Sequence, residues 1–395
     1  MKSTILSRRA LLAAAVSASV ACSRKKATRI PGYCFVANQG SRSVAAVNLE
    51  TFRVQQQIFL EAAPSAAIAH PSKPRLFVMA PDAGTVYEIE AGTLSVSRRA
   101  RAGNAALGMR LSPAGDALWV LYRDPAMLVE LPLDSLKPGR RVRLPSPPDT
   151  FDLVQTQAPD NRVLAAVASR TDRTIALASL GSARLERTVS MALEPSLITF
   201  RRDGLQVIAG NAPERGVTIV DVATGKTVVH LPLPLAPRNF CTTSDGGQLF
   251  ITGDGMDAVA IIFPYTTEVY QTILAGRAPG AMAVTDEGSS LSYLMVANHE
   301  TGGLTVLDFG NYNLVAIVSV GQGPSQILLT PGPEPQYVLV LNELSGDLAV
   351  IRTQSLSTMP NGAQRSMNAR ARSAPLFTLI PVGERPVSAA VVTLT

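Results

Sequence analysis

The stretch Tyr293 to Pro331, YLMVANHETGGLTVLDFGNYNLVAIVSVGQGPSQILLTP, decides the fold, because the rest of the chain repeats it. It holds four short apolar runs, Tyr293–Ala297, Leu304–Phe309, Leu314–Val320 and Ser325–Thr330, each bounded by Gly, Pro, Asn or Asp. Runs this short and rich in Val, Ile, Leu and aromatics read as strands, and the punctuation between them reads as tight turns. They are broken too often to be helices. Four strands in roughly 40–45 residues is the signature of one propeller blade.

The opening run recurs at Tyr33, Leu76, Leu118, Val163, Gln206, Leu249, Tyr293 and Tyr337, at intervals of 42 to 45 residues. A closed array holds such a period because each unit buries its faces only against its neighbours. We name the strands of a blade a to d from axis to rim. Strand a follows a Gly/Ala-x-Pro signal, as after Pro64, Pro148, Pro195, Pro237, Pro279 and Pro324, with Ala105 in place of proline in the third unit. The last signal, Arg385-Pro386, leads into a C-terminal run with no strands after it. That run is expected to join the strands at Tyr33, Ser43 and Val54, closing the ring from both chain ends and removing open sheet edges. The expectation is an all-β propeller of four-stranded antiparallel blades spanning residues 33–395. Eight blades are expected, with seven as the alternative if the unit 163–206 packs irregularly. Residues 354–374 interrupt the pattern where only a c–d turn is needed. Their Arg365, Arg370 and Arg372 stand among Ser, Asn and Ala, and the segment reads as a flexible insertion, either tolerated or a docking arm.

Residues 1–22 have the layout of an export signal: a basic start, an apolar run from Ala10 to Val16, and small residues before Cys22. Ser7-Arg8-Arg9 looks like a twin-arginine signal. Ser19-Val20-Ala21-Cys22 resembles a lipobox, which makes Cys22 a lipid-attachment residue and 23–32 a tether, although Ser19 stands where that motif usually has Leu. The expected location is therefore the periplasm or cell envelope, with the membrane touched through a lipid anchor alone. The alternative is an ordinary signal cleaved near Ala21. The formal charge of +6 falls to about +3 without Lys2, Arg8 and Arg9, too little for a nucleic-acid partner. Cys34 and Cys241 fall in distant units and are expected to be free thiols.

The pattern Y-V-x-N, V-x-V-x-D, V-x-x-I-x-V-G-x-x-P in Tyr293 to Pro331, with a second copy at QVIAGNAPERGVTIVDVATGKTVVHLPL, resembles the YVTN-repeat (YncE-like) β-propellers. The resemblance covers Tyr33 to Thr395. It implies an exported protein, frequently seven-bladed in the family, acting as a binding or scaffold module.

The chain is poor in the residues catalysis uses. It has three histidines, His70, His230 and His299, all scattered, and no C-x-x-C-H, zinc spacing, phosphate loop or nucleophile elbow. A single Trp119 argues against propellers built on tryptophan motifs. Gly253 to Asp257 offers two carboxylates, fewer oxygens than a hard cation wants, and reads as a hairpin turn. No cofactor or metal is expected. The b–c loops and the crossovers into the next strand a share one face, and polar residues concentrate there. The candidate binding residues are Arg123, Asp149, Asp152, Arg170, Arg238, Asn239, Asp254, Asn298, His299 and Asn342. For Asn38, Asn298 and Asn342, which repeat, the plainer reading is a turn cap bonding its own backbone. The expected function is a non-catalytic binding or scaffold module for a protein or glycan ligand in the cell envelope, acting as a monomer. The alternatives are a lactonase similar to 6-phosphogluconolactonases, using Arg123, Arg238, His299 and Asp152, and a cell-surface structural protein.

Overall fold

The computed structural model describes residues 30–157, 161–285, 289–332, 334–356 and 375–394. The expected signal and the tether up to residue 29 lie outside the described residues, as does the insertion from 357 to 374. Residues from Pro31 onward form one compact unit. Among the described residues no helix is long and apolar enough to cross a membrane.

The repeats fold into eight four-stranded antiparallel sheets, and the unit expected to be weakest is as regular as the others, with strands Thr150–Gln155, Val163–Ser169, Thr174–Ser179 and Arg184–Ser190. The quoted stretch supplies strands b, c and d of blade 7 (Tyr293–Asn298, Gly303–Asp308, Leu314–Ser319) and strand a of blade 8 (Pro324–Leu329). Inner strands of consecutive blades touch all the way round, and the C-terminal strand Pro386–Thr393 lies between those of blades 8 and 2. The same strand pairs with Gly32–Asn38, so blade 1 is built from both chain ends as expected. The molecule is an eight-bladed β-propeller.

Burial follows from this geometry. Strands b and c carry apolar residues on both faces, because both faces meet another blade; LFVMA at 76–80 and YLMVAN at 293–298 are buried throughout. Strands d alternate or are exposed, as in Arg184–Ser190. Apolar side chains fill the spaces between blades: Phe35, Leu76, Val78 and Ile89 between blades 1 and 2, and Val306, Val318, Val338 and Val340 between blades 7 and 8. Cys34 and Cys241 are free, and burial pushes both thiols up to about 12, which keeps them protonated and unreactive.

The c–d turns share a backbone device. Phe52, Leu94, Leu136, Thr267 and Tyr312 all take positive φ at one turn position, between 52° and 61°. Each of these N–H groups bonds the carbonyl four residues back. The conformation costs about 1–2 kcal/mol for a residue with a Cβ. Packing explains why it persists: Leu94 and Leu136 are buried, and Phe52 stacks edge-on to Tyr337 and Phe377.

Candidate functional site

Each blade contributes a b–c turn and an incoming crossover to one mouth of the ring, so this mouth can gather side chains from many repeats. The repeating asparagines do not belong to that surface. Asn38, Asn298 and Asn342 are 0%, 1% and 0% exposed. Nor do they cap their own turns. Asn38 Nδ2 donates to Val382 O at 2.9 Å and Asn342 Nδ2 to Val320 O at 2.8 Å, each tying down the crossover from the preceding blade. Asn298 acts one step removed, donating to Thr305 Oγ1, which donates to Ala275 O. The repeat's V-G step is explained by the same contact: a Cβ on Gly321 would come within 2.3 Å of Asn342 Nδ2.

The charged candidates of blades 3 to 6 form a continuous track. Arg123, at the end of strand b in blade 3, pairs with Asp149 of the next crossover at 3.3 Å. The other Asp149 oxygen accepts the Arg170 N–H at 2.8 Å, and Arg170 pairs with Glu194 at 2.7 Å. Arg170, Ser196, Pro213, Pro237, Arg238 and Asp254 then line a cavity of about 440 Å³ between blades 4, 5 and 6. Arg238 owes its aim to a β-bulge. It is the extra residue between Pro237 and Asn239, which pair with Gly253 and Thr252, and its guanidinium reaches Asp254 at 2.6 Å.

Other candidates fall elsewhere. Asp152 accepts the Phe200 N–H at 2.9 Å and the Thr199 hydroxyl at 3.1 Å, bridging two inner strands. It lines a separate cavity of about 300 Å³ with Arg201, Arg202 and Gly246, residues of the a–b turns at the opposite mouth. Asn239 is half-buried and donates to Thr252 Oγ1. His299 is exposed on the b–c turn of blade 7, away from the cavity of blades 4 to 6.

A further set was missed in the sequence. Arg42, Arg173 and Arg215 take φ of 49°, 50° and 51° at the b–c turn position that Gly84, Gly302 and Gly346 occupy in blades 2, 7 and 8. Arg385, at φ 52°, precedes Pro386 as Gly323 precedes Pro324. The first three are exposed and have no ion pair to a described residue; Arg385 pairs with Glu343 at 3.0 Å. Unlike the strained c–d turns, these arginines gain no packing in return. Aligning the repeats shows the signal, an arginine where sister units have glycine. Arg215 leans over blade 6, since a Cβ on Gly255 would lie 3.3 Å from its guanidinium.

The chemistry available is recognition by forked donors and carboxylates, already paired and so held in place. Among the described residues no three His, Cys, Asp or Glu side chains are grouped to hold a metal.

The fold defines the class, a β-propeller, and its b–c mouth carries a polar, charged surface. No family model matches the chain. It is similar to the seven-bladed β-propeller protein Rv1057 of Mycobacterium tuberculosis, 24% identical over 132 residues, which are 33% of this chain and 34% of that protein. The match thus spans about a third of the relative's length. Among solved structures it is similar to the dihydro-heme d1 dehydrogenase NirN in complex with DHE, with TM-score 0.68 and 14% identity over 91% of this chain and 75% of that one. It is also similar to hydrazine synthase of Kuenenia stuttgartiensis, with TM-score 0.54 and 18% identity over 73% of this chain and 95% of that one. At these identities the likeness is one of fold alone.

Proposed function

We propose that this chain is a non-catalytic binding module of the YVTN-repeat kind, exported to the cell envelope and lipid-anchored at Cys22, that holds a protein or glycan ligand on its b–c mouth. The observation that carries this reading is the polar track of blades 3 to 6, which ends in the cavity lined by Arg170, Arg238 and Asp254. Its guanidinium groups are paired with carboxylates, Arg123 and Arg170 with those of the following crossovers and Arg238 with Asp254 of its own blade, so a ligand meets a partly ordered surface and less entropy is lost on binding. The lactonase alternative draws no support from the geometry, because Asp152 lines a different cavity from Arg238. Dehydrogenase and synthase activities belong to the structural neighbours.

The test is binding to an array of envelope glycans and to purified envelope proteins, comparing the native protein with Arg170→Ala/Arg238→Ala. Loss of about tenfold in affinity at an unchanged melting temperature is expected. Unchanged binding by the double variant, or loss caused by Arg202→Ala at the opposite mouth, would place the ligand elsewhere.

A further inference from the structure

The outer strands that make up the circumference differ in a way the repeat does not require. Those of blades 2 to 4 carry Arg98, Arg99, Arg141, Arg143, Arg184 and Arg187. Those of blades 5, 7 and 8, Thr227–Pro232, Leu314–Ser319 and Leu376–Pro381, carry no charge, and those of blades 6 and 1, Glu268–Leu274 and Arg53–Phe59, carry one at the first residue, so the uncharged arc is centred on blade 7. Large apolar side chains stand in the open along this arc: Leu274 is 75% exposed, Ile317 69%, Leu314 58%, Tyr270 54%, Leu379 45% and Phe377 38%. Each outer strand is the last of its sheet, so among the described residues no strand pairs with its outer edge. Sheets guard such edges with charge, and blades 2 to 4 do; this arc does not.

We propose that the arc of blades 6 to 8 is the interface of a homodimer in which two copies join the outer strand of blade 7 edge to edge, antiparallel, across a two-fold axis. A two-fold contact needs a surface complementary to itself. LVAIVS meets that condition: centred between Ala316 and Ile317, pairing sets Leu314 opposite Ser319 and Val315 opposite Val318, and no charge loses its water. The arginine-bearing arc is guarded by its charges, which an edge-to-edge contact would strip of water. Six-residue strands run about 20 Å, and blades stand at least about 10 Å apart. The paired edge is therefore about 20 Å long, flanked on blades 6 and 8 by the exposed Tyr270, Leu274, Phe377 and Leu379. A lipid surface fits less well, since docking faces for bilayers place Lys and Arg beside their apolar residues, and here the outer-strand arginines sit on the other side of the ring. The dimer departs from the monomer expected from sequence, and it leaves the b–c mouth of each copy open.

Sedimentation velocity over about 1 to 100 µM tests the idea. The purified protein is expected to dimerise. Ile317→Lys, at an exposed position, is expected to weaken the dimer by at least about tenfold with no fall in melting temperature, while Arg184→Glu on the opposite arc leaves it unchanged. Should Ile317→Lys lower the melting temperature, Ile317→Ser takes its place. A native protein that stays monomeric at the highest concentration overturns the proposal, as does a variant that dimerises equally well. A monomer that floats with anionic vesicles, and loses this with Ile317→Ser, overturns it in favour of a lipid surface.

Discussion

Arg215 shows how one residue can work against the fold that holds it. At φ 51° it occupies backbone space that glycine fills at no steric cost. Its side chain is exposed and lies over Gly255, so little packing is lost when it goes. Glycine adds entropy to the unfolded chain, which offsets part of the relief. Arg42→Gly/Arg173→Gly/Arg215→Gly is therefore expected to gain about 1–2 kcal/mol of stability in urea titration while weakening ligand binding. Phe52→Gly relieves the same strain but breaks the stack on Tyr337 and Phe377, and it is expected to destabilise. Glu88 is the opposite kind of residue, 1% exposed in strand c of blade 2. Burial pushes its carboxyl up, but hydrogen bonds from Arg98 and Ser97 and the Arg98 and Arg75 charges outweigh this and hold it below its usual value. A lowered carboxyl stabilises the fold above its unfolded pKa, and the contribution is lost as pH falls through the folded value. Glu88→Gln is thus expected to cost about 2–3 kcal/mol at pH 7. Urea titrations at falling pH should show the gap to the native protein close below pH about 4.

At the scale of the element, blades are joined by side chains reaching to the next unit. At the rim, Arg98 donates to Leu133 O, Arg140 to Gly181 O and Arg187 to Thr224 O, each capping the c–d turn of the following blade. Near the axis, Gln326 accepts the Ala389 N–H and Ser388 Oγ accepts the Ala67 N–H, stitching inner strands laterally. At the b–c mouth, the asparagine–glycine contact does the same. Gly321→Ala places a methyl against Asn342 and is expected to cost about 2–4 kcal/mol. Part of that cost is steric, so Asn342→Ala should relieve it. A double-mutant cycle by thermal melting should show the pair costing at least about 1 kcal/mol less than the sum of the singles. An additive cycle would mean the two residues are independent.

The whole molecule is stable because it is closed. Each blade buries both faces only if it has two neighbours, and the C-terminal strand supplies the last inner position. Truncation after Arg385 leaves Gly32–Asn38 with an unpaired edge and blades 8 and 2 without the inner strand between them. Such a chain is expected to lose its cooperative melt in calorimetry, whereas removing one d strand's exposed residues would not. A sharp transition near the native temperature would show that closure is dispensable.

What the sequence determined by itself was the architecture. Strand type, blade count and closure rest on local periodicity and on turn residues, and those signals repeat eight times, so errors in one unit are corrected by the others. The site was legible only in part. Arg170, Arg238 and Asp254 are expected at the b–c mouth and lie there, because topology fixes where b–c turns and incoming strands must come together. Asp152 was placed on that mouth too, yet its carboxylate turns to the a–b side, and Asn298 and Asn342 are drawn inward by neighbouring crossovers. Those directions depend on bonds to segments more than twenty residues away, direct for Asp152 and Asn342 and relayed through Thr305 to Ala275 for Asn298, which no local pattern encodes. The two contrasting arcs of the rim likewise exist only once the ring is closed, when strands spaced along the chain become neighbours on one surface.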